Sequence, residues 1–290
     1  MSERTDQPRA VIVASSHVVR GSLGNRAVVF AFETLGFTVW ALPTVTLPWH
    51  EGRREATRIV PAPGDWEKLV DDLIAAPWLG EIGAVLTGFL GSAEQAVQLS
   101  RLVRAVKEKN HRATYLCDPV LGDDGEIYVE EAIAEAIRDH LLPLADIATP
   151  NRTELEWLAG APVPDIEHTI AAALDLGPRM VLTTSAPVAH EGSTGNLLLT
   201  PTEVLLAEHR RISSAPHGTG DLTAALFLAR LSEGMAPAKA LQATTASVFD
   251  LVARTASREA DELTLATDRH SLVEPMGMVQ LRKLAHPGGE

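Results

Sequence analysis

The chain has 290 residues, 46% of them hydrophobic and 22% charged, with a formal net charge of −13. That is enough apolar material for a large core, and the acidic balance argues against a broad nucleic-acid or anionic-membrane surface. The single cysteine, Cys117, excludes an intramolecular disulfide and a multi-cysteine metal site.

Short apolar runs alternate with helical patterns. Residues 1–9 are polar and lack the apolar stretch of a signal peptide. Val11–Ser15 is expected as a buried strand and Asn25–Gly36 as a helix stopped by its glycine. Thr38–Leu47 reads as extended chain, Asp65–Ala76 as a helix and Ala84–Thr87 as another buried strand. Ser92 with Gln95 three residues on is a capping pair for a long helix to about Asn110. There follow strand Ala113–Cys117, helix Glu130–Leu142, strand Asp146–Thr149, helices Asn151–Ala159 and Ile166–Leu176, and strand Met180–Thr184. Asn196–Leu199 and Glu203–Leu206 suggest a β pair. The alternation predicts a mostly parallel sheet with helices on both faces, whose ligands gather at the carboxyl ends of the strands. Residues 10–284 read as a single domain between flexible tails at 1–9 and 285–290. No run reaches the ~18 apolar residues of a membrane span, so cytoplasm is the expected location.

Chemistry concentrates at the strand ends and at one turn. Pro216-His217-Gly218-Thr219-Gly220-Asp221 opens an apolar helical run, Leu222–Leu231. Two glycines at a helix start leave bare amides pointing at one spot, where the helix adds partial positive charge for an anion. Asp221 follows at once, placed to take a proton from a hydroxyl. A carboxylate base beside an anion-binding turn is the minimum that phosphoryl transfer to an alcohol requires. A tight turn with a dipole-complementing acid would carry the same letters. Asp118, Asp123 and Glu154 supply hard oxygen atoms suited to Mg²⁺, although each also fits a turn or cap. His50 and His217 have no zinc-ligand spacing, and Phe89 fits a packing role or a platform for a planar ligand.

Five ordered blocks over about residues 10–255 resemble the ribokinase-like superfamily and, more narrowly, the pyridoxal kinases. They are Ser16-His17-Val18-Val19-Arg20-Gly21 with Gly24-Asn25; Leu86-Thr87-Gly88-Phe89-Leu90-Gly91; Cys117-Asp118-Pro119-Val120-Leu121-Gly122-Asp123 with Tyr128; Thr149-Pro150-Asn151 with Glu154; and Gly218-Thr219-Gly220-Asp221. The resemblance implies a three-layer α/β/α sandwich, ribokinase-like, that transfers the γ-phosphate of ATP to the 5′-hydroxymethyl of pyridoxal or a related B6 vitamer. Asp221 would be the base and the amides of Gly218, Thr219 and Gly220 the anion hole. Asp118, Asp123, Tyr128, Thr149, Asn151, Glu154, Thr184 and Ser185 would line the ATP side, with Asp118, Asp123 and Glu154 at the metal. Ser16, Val19, Val45, His50, Glu51, Phe89 and His217 would surround the acceptor. Mg²⁺, K⁺ and a homodimer are implied as well.

Three positions depart from that pattern on the acceptor side: Glu51 where threonine is usual, Phe89 where tyrosine is common, and His217 where a small apolar residue stands. The phosphate end therefore reads as intact and the acceptor end as rebuilt. Two alternatives stand beside the vitamer kinase. One is a kinase for another small alcohol, such as a hydroxymethylpyrimidine or a sugar; the other is a non-catalytic nucleotide- or B6-binding protein.

Overall fold

The computed structural model describes residues 10–50, 56–213 and 215–287. β1 (Ala10–Val18) is buried along almost its whole length, because helices cover both of its faces. Val11 and Val13 belong to a core shared with α1 (Asn25–Thr34), α7 (Thr219–Ser232) and α8 (Pro237–Ser257). Ile12 and Ala14 face the opposite core, built with α2 (Pro63–Ala75), α3 (Ala93–Lys109) and α4 (Glu131–Ala136). Alternate residues of one strand thus feed two cores, and the molecule has the three-layer α/β/α form that the alternation predicts.

The remaining strands are β2 (Thr38–Leu47), β3 (Ile82–Thr87), β4 (Thr114–Cys117), β7 (Ile147–Ala148), β8 (Met180–Ala186), β9 (Ser193–Leu199), β10 (Val204–Arg210) and β11 (Gln280–Leu284). They form one nine-stranded sheet in the order β11-β10-β9-β8-β7-β4-β3-β1-β2. From β2 to β8 the pairings are parallel, and β9, β10 and β11 join antiparallel. The fold is α/β with a mostly parallel central sheet, as expected. A separate hairpin of β5 (Gly122–Asp123) and β6 (Glu126–Ile127) stands off the sheet. α5 (Arg152–Ala159) and α6 (Ile166–Asp175) complete the β7–β8 crossover, and a one-turn α9 (His270–Val273) precedes β11.

Local chemistry accounts for most boundaries. Gln95 Oε1 accepts from the amides of Ser92 and Gly91 at 3.3 and 2.8 Å, fixing the start of α3 at the predicted capping pair. β1 runs three residues past its predicted end, so the Ser16-His17-Val18 block lies within the strand. The expected helix Glu130–Leu142 is broken: after α4 the chain passes through a π turn, Ile137–Leu141, and a 3-10 turn, Leu142–Leu144. Pro143 has no amide to donate and ends the regular ladder. The parallel strands all deliver their carboxyl ends to one side, where α7 also begins.

Candidate active site

Asp221 stands in the first turn of α7, whose N-cap is Gly218. Its Oδ2 accepts the Gly24 amide at 2.9 Å, fixing the carboxylate against the start of α1. Burial pushes the Asp221 carboxyl up to about 6, against the opposing pull of the Gly24 amide. A carboxylate of that pKa is ionised at neutral pH yet basic enough to take a proton.

The glycines around it have different physical reasons. Gly218 has φ +96°, and a Cβ there would come 2.3 Å from the Ser22 carbonyl oxygen, so both conformation and space demand glycine. At Gly220 a Cβ would meet nothing within 4 Å. Packing does not require that glycine, and the head of the helix stays open there. Gly24 has φ +55°, and a Cβ would lie 2.3 Å from both Ser16 O and Ser16 Oγ. This close approach brings the Gly24 amide to Asp221.

On the side of β4 and β7, Asp118 is buried and its Oδ1 accepts the Thr149 hydroxyl at 2.6 Å. Burial, then the nearby Asp221 charge, pushes Asp118 up to about 7, while Thr149 opposes the rise. Glu154 is also buried; Oε1 accepts from the Leu121 amide at 3.0 Å and Oε2 from the Asn151 amide at 2.7 Å. Asn151 Oδ1 accepts in turn from the Glu154 amide at 2.9 Å, and its Nδ2 donates to the Gly122 carbonyl at 2.7 Å. The pair is a reciprocal helix cap that also fastens the loop beyond β4. Burial and the Asp118 charge hold the Glu154 carboxyl well above its ordinary value.

Of the residues expected at the metal, Asp118 and Glu154 are buried and Asp123 is exposed. Among the described residues no three His, Cys, Asp or Glu side chains gather as a metal cluster. Asp123 is exposed on the β5–β6 hairpin with Oδ1 accepting from the Asp124 amide, while each Glu154 oxygen accepts one backbone amide. The residues do fit a divalent cation held chiefly through water. Asp118 and Glu154 are both buried, the Asp118 charge raises Glu154 and the Asp221 charge raises Asp118, and such a concentration of negative charge is what an ion relieves. Tyr128 is exposed beside the same hairpin. Thr184 donates its amide to the Pro150 carbonyl at 3.0 Å, and Ser185 at the end of β8 adopts φ +53°. That left-handed turn is uncommon for serine, and such strain collects at functional sites.

The residues expected around an acceptor come from several elements. Ser16 is buried at the end of β1, and Val45 is buried in a small apolar cluster with Val18, Leu47 and the partly buried Phe89. Val19 lies outside that cluster, 64% exposed. The rings of His50 and His217 stack with centroids 3.8 Å apart and planes 22° from parallel. Glu51 lies outside the described residues. Sequence reasoning missed Arg58, whose guanidinium sits 5.3 Å above the Phe89 ring. It also missed Thr44, whose hydroxyl donates to the Phe89 carbonyl at 2.6 Å. The Thr46–Ile59 bridge that brings Arg58 there leaves no mark in composition or spacing.

Comparison with known proteins matches residues 51–262 to the phosphomethylpyrimidine kinase family model. A pyridoxal kinase PdxY of Rubrobacter xylanophilus is 36% identical over 95% of this chain and 97% of its own length. One from Corynebacterium diphtheriae is 32% identical over 95% and 99%. The structure of pyridoxal kinase from Leishmania donovani in complex with ADP and pyridoxamine superposes with a TM-score of 0.90 at 27% identity, covering 96% of this chain and all of that one. The chain belongs to the phosphomethylpyrimidine kinase family and, within it, to the pyridoxal kinases.

Proposed function

We propose that this protein is an ATP-dependent kinase that phosphorylates the 5′-hydroxymethyl group of pyridoxal or a related B6 vitamer, with Asp221 as general base. The observation that carries this reading is the Asp221 carboxylate at the head of α7, fixed through Oδ2 by the Gly24 amide. Oδ1 takes the acceptor proton as the acceptor oxygen attacks the γ-phosphorus and the bond to the bridging oxygen of ADP breaks. The amides of Gly218, Thr219 and Gly220 hold the charge on the transferring group, and the open space at Gly220 admits it.

Asp118, directly or through water, with Glu154 behind it, would hold Mg²⁺, which neutralises phosphate charge when bound. Thr149, Asn151, Thr184 and Ser185 would position the nucleotide, with Asp123 and Tyr128 on the hairpin beside it. K⁺ and a homodimer are part of the same reading by likeness to the family. No helix among the described residues is long and apolar enough to cross a membrane, which accords with a cytoplasmic enzyme.

The His50–His217 stack and Arg58 over Phe89 favour one second reading, a kinase of the same mechanism for a different hydroxymethylated ring. An ADP-release assay with pyridoxal, pyridoxine, pyridoxamine and hydroxymethylpyrimidine separates the two. Turnover of none of them by the intact protein would reject both.

A further inference from the structure

Successive residues of a strand point to opposite faces, so two wholly buried neighbours in a half-exposed strand call for a physical reason. In β2 that pair is Thr44 and Val45, while Pro43 just before them is exposed. Against β1 the register slips at this point. Ser15 lies opposite Pro43 and His17 opposite Thr46, so β2 holds one residue more than its partner. Such a bulge breaks the alternation and re-aims side chains, and bulges recur beside active sites. Here it lets Val45 join the apolar cluster with Phe89 while Thr44 stays buried next to it.

Thr44 is bonded to the loop that follows β3. Its hydroxyl donates to the Phe89 carbonyl at 2.6 Å, and its own carbonyl accepts from Gln95 Nε2 at 2.8 Å. Gln95, also buried, holds the Gly91 amide through Oε1 at 2.8 Å. A Cβ at Gly91 would lie 2.9 Å from the Thr44 carbonyl oxygen, so strand and loop meet with no room for a side chain. At the other end of the loop the Gly88 amide donates to the Ala14 carbonyl at 2.9 Å. A Cβ at Gly88 would come 4.0 Å from Asp221 Oδ1. The loop 88–91 therefore starts beside the proposed base and is fastened at three points, with Phe89 between the outer two.

We propose that Thr44 is a positioning residue for the acceptor, its hydroxyl holding the Phe89 backbone so that the ring stands at one depth against the acceptor. The inference rests on the reading that this protein is a kinase whose acceptor lies against Phe89. Thr44 acts through the backbone of the loop and not on the reacting atoms. Without its hydroxyl the Phe89 carbonyl loses that donor, and the loop holds its binding position for only part of the time. The apparent affinity for the acceptor then falls by that fraction. The ATP side, which draws on β4, β7 and β8, keeps its affinity.

The test is a cycle of Thr44→Val and Phe89→Ala in the full chain, with ATP, Mg²⁺ and the acceptor turned over best. Thr44→Val keeps the shape and removes the donor. It should raise the acceptor KM roughly three- to tenfold, the worth of one hydrogen bond, with kcat and the ATP KM within about twofold of wild type. Thr44→Ser keeps the hydroxyl and should hold the acceptor KM near wild type. In the Phe89→Ala background Thr44→Val should cost nothing further, because no ring is left to place. An acceptor KM unchanged by Thr44→Val, or raised equally with and without Phe89, overturns the role of Thr44 and leaves the kinase reading standing. A wild-type acceptor KM in Phe89→Ala removes Phe89 from the acceptor, and the inference falls with it. Turnover of no acceptor by the wild-type protein is a different failure, which rejects the kinase reading and this inference together.

Discussion

The Gly24 amide donates to Asp221 Oδ2 across 2.9 Å, joining residues 197 positions apart in the chain. The bond engages one carboxylate oxygen and leaves Oδ1 for the proposed acceptor, and it places a residue with φ +55° where no side chain fits. The proposed base is thus set by two glycine-dependent turns, at the heads of α1 and α7.

Replacing Asp221 with Asn should lower kcat by about 10²–10⁴, the usual worth of a general base, with ATP binding and Tm nearly kept. Isothermal titration with ATP and a coupled ADP assay measure the two halves. Near-full kcat would refute the assignment.

The same carboxyl predicts the acid limb of the pH profile. Its folded-state value is raised to about 6 by burial, so the reactive carboxylate is lost as pH falls through 6. kcat/KM should fall toward tenfold per unit below that point. A flat profile from pH 7 to 5 would contradict it.

Gly218 and Gly220 should respond oppositely to alanine. Gly218→Ala meets the Ser22 carbonyl and a positive φ, and should lower Tm by several degrees. Gly220→Ala meets open space within a helix, so Tm should hold or rise slightly. Its kcat/KM should nevertheless drop, by roughly 10²-fold if the added methyl keeps the transferring group from the helix amides. Thermal melts beside kinetics would expose any other pattern.

Asp118→Asn should raise the Mg²⁺ concentration needed for half-maximal rate, because an amide keeps the shape but loses the charge. Glu154→Gln should act mainly on stability, since its amide group cannot accept from both the Leu121 and Asn151 amides. Superimposable Mg²⁺ titrations for wild type and Asp118→Asn would exclude Asp118 from the metal.

On the acceptor side, His217→Val removes the ring stacked on His50, and Phe89→Tyr adds a hydroxyl near Arg58. Together they should raise kcat/KM for pyridoxal relative to hydroxymethylpyrimidine, roughly 10-fold or more if a ring hydrogen bond is regained. An unchanged ratio would mean that these residues do not read the acceptor.

The alternating layers were legible because strands buried on both faces are nearly all apolar and the helices keep their own period. The strand-end blocks were legible for the same reason: Asp118, Asn151 and Ser185 follow directly on recognisable runs. β5 and β6 escaped because two-residue strands of Gly, Asp, Glu and Ile carry no period. β11, with Arg282 and Lys283 among five residues, reads as polar chain. Residue type shows the donor chemistry of Asp118, Asp123 and Glu154, but the burial of Asp118 and Glu154 and the exposure of Asp123 are tertiary facts. Arg58 reaches Phe89 only through the pairing of Thr46 with Ile59, which is a tertiary fact.

β11 has a role in solubility. It covers β10, whose Val204–Ala207 stretch is buried, and it carries Arg282 and Lys283, which pair with Glu208 and Glu203 at 2.8 and 2.7 Å. Without it, β10 would offer open amides and apolar side chains as a template for another chain, the usual start of edge-to-edge aggregation. With it, the outermost strand of the sheet carries cations, which resist that pairing. The short polar strand that the sequence hides best therefore protects the sheet from its own kind.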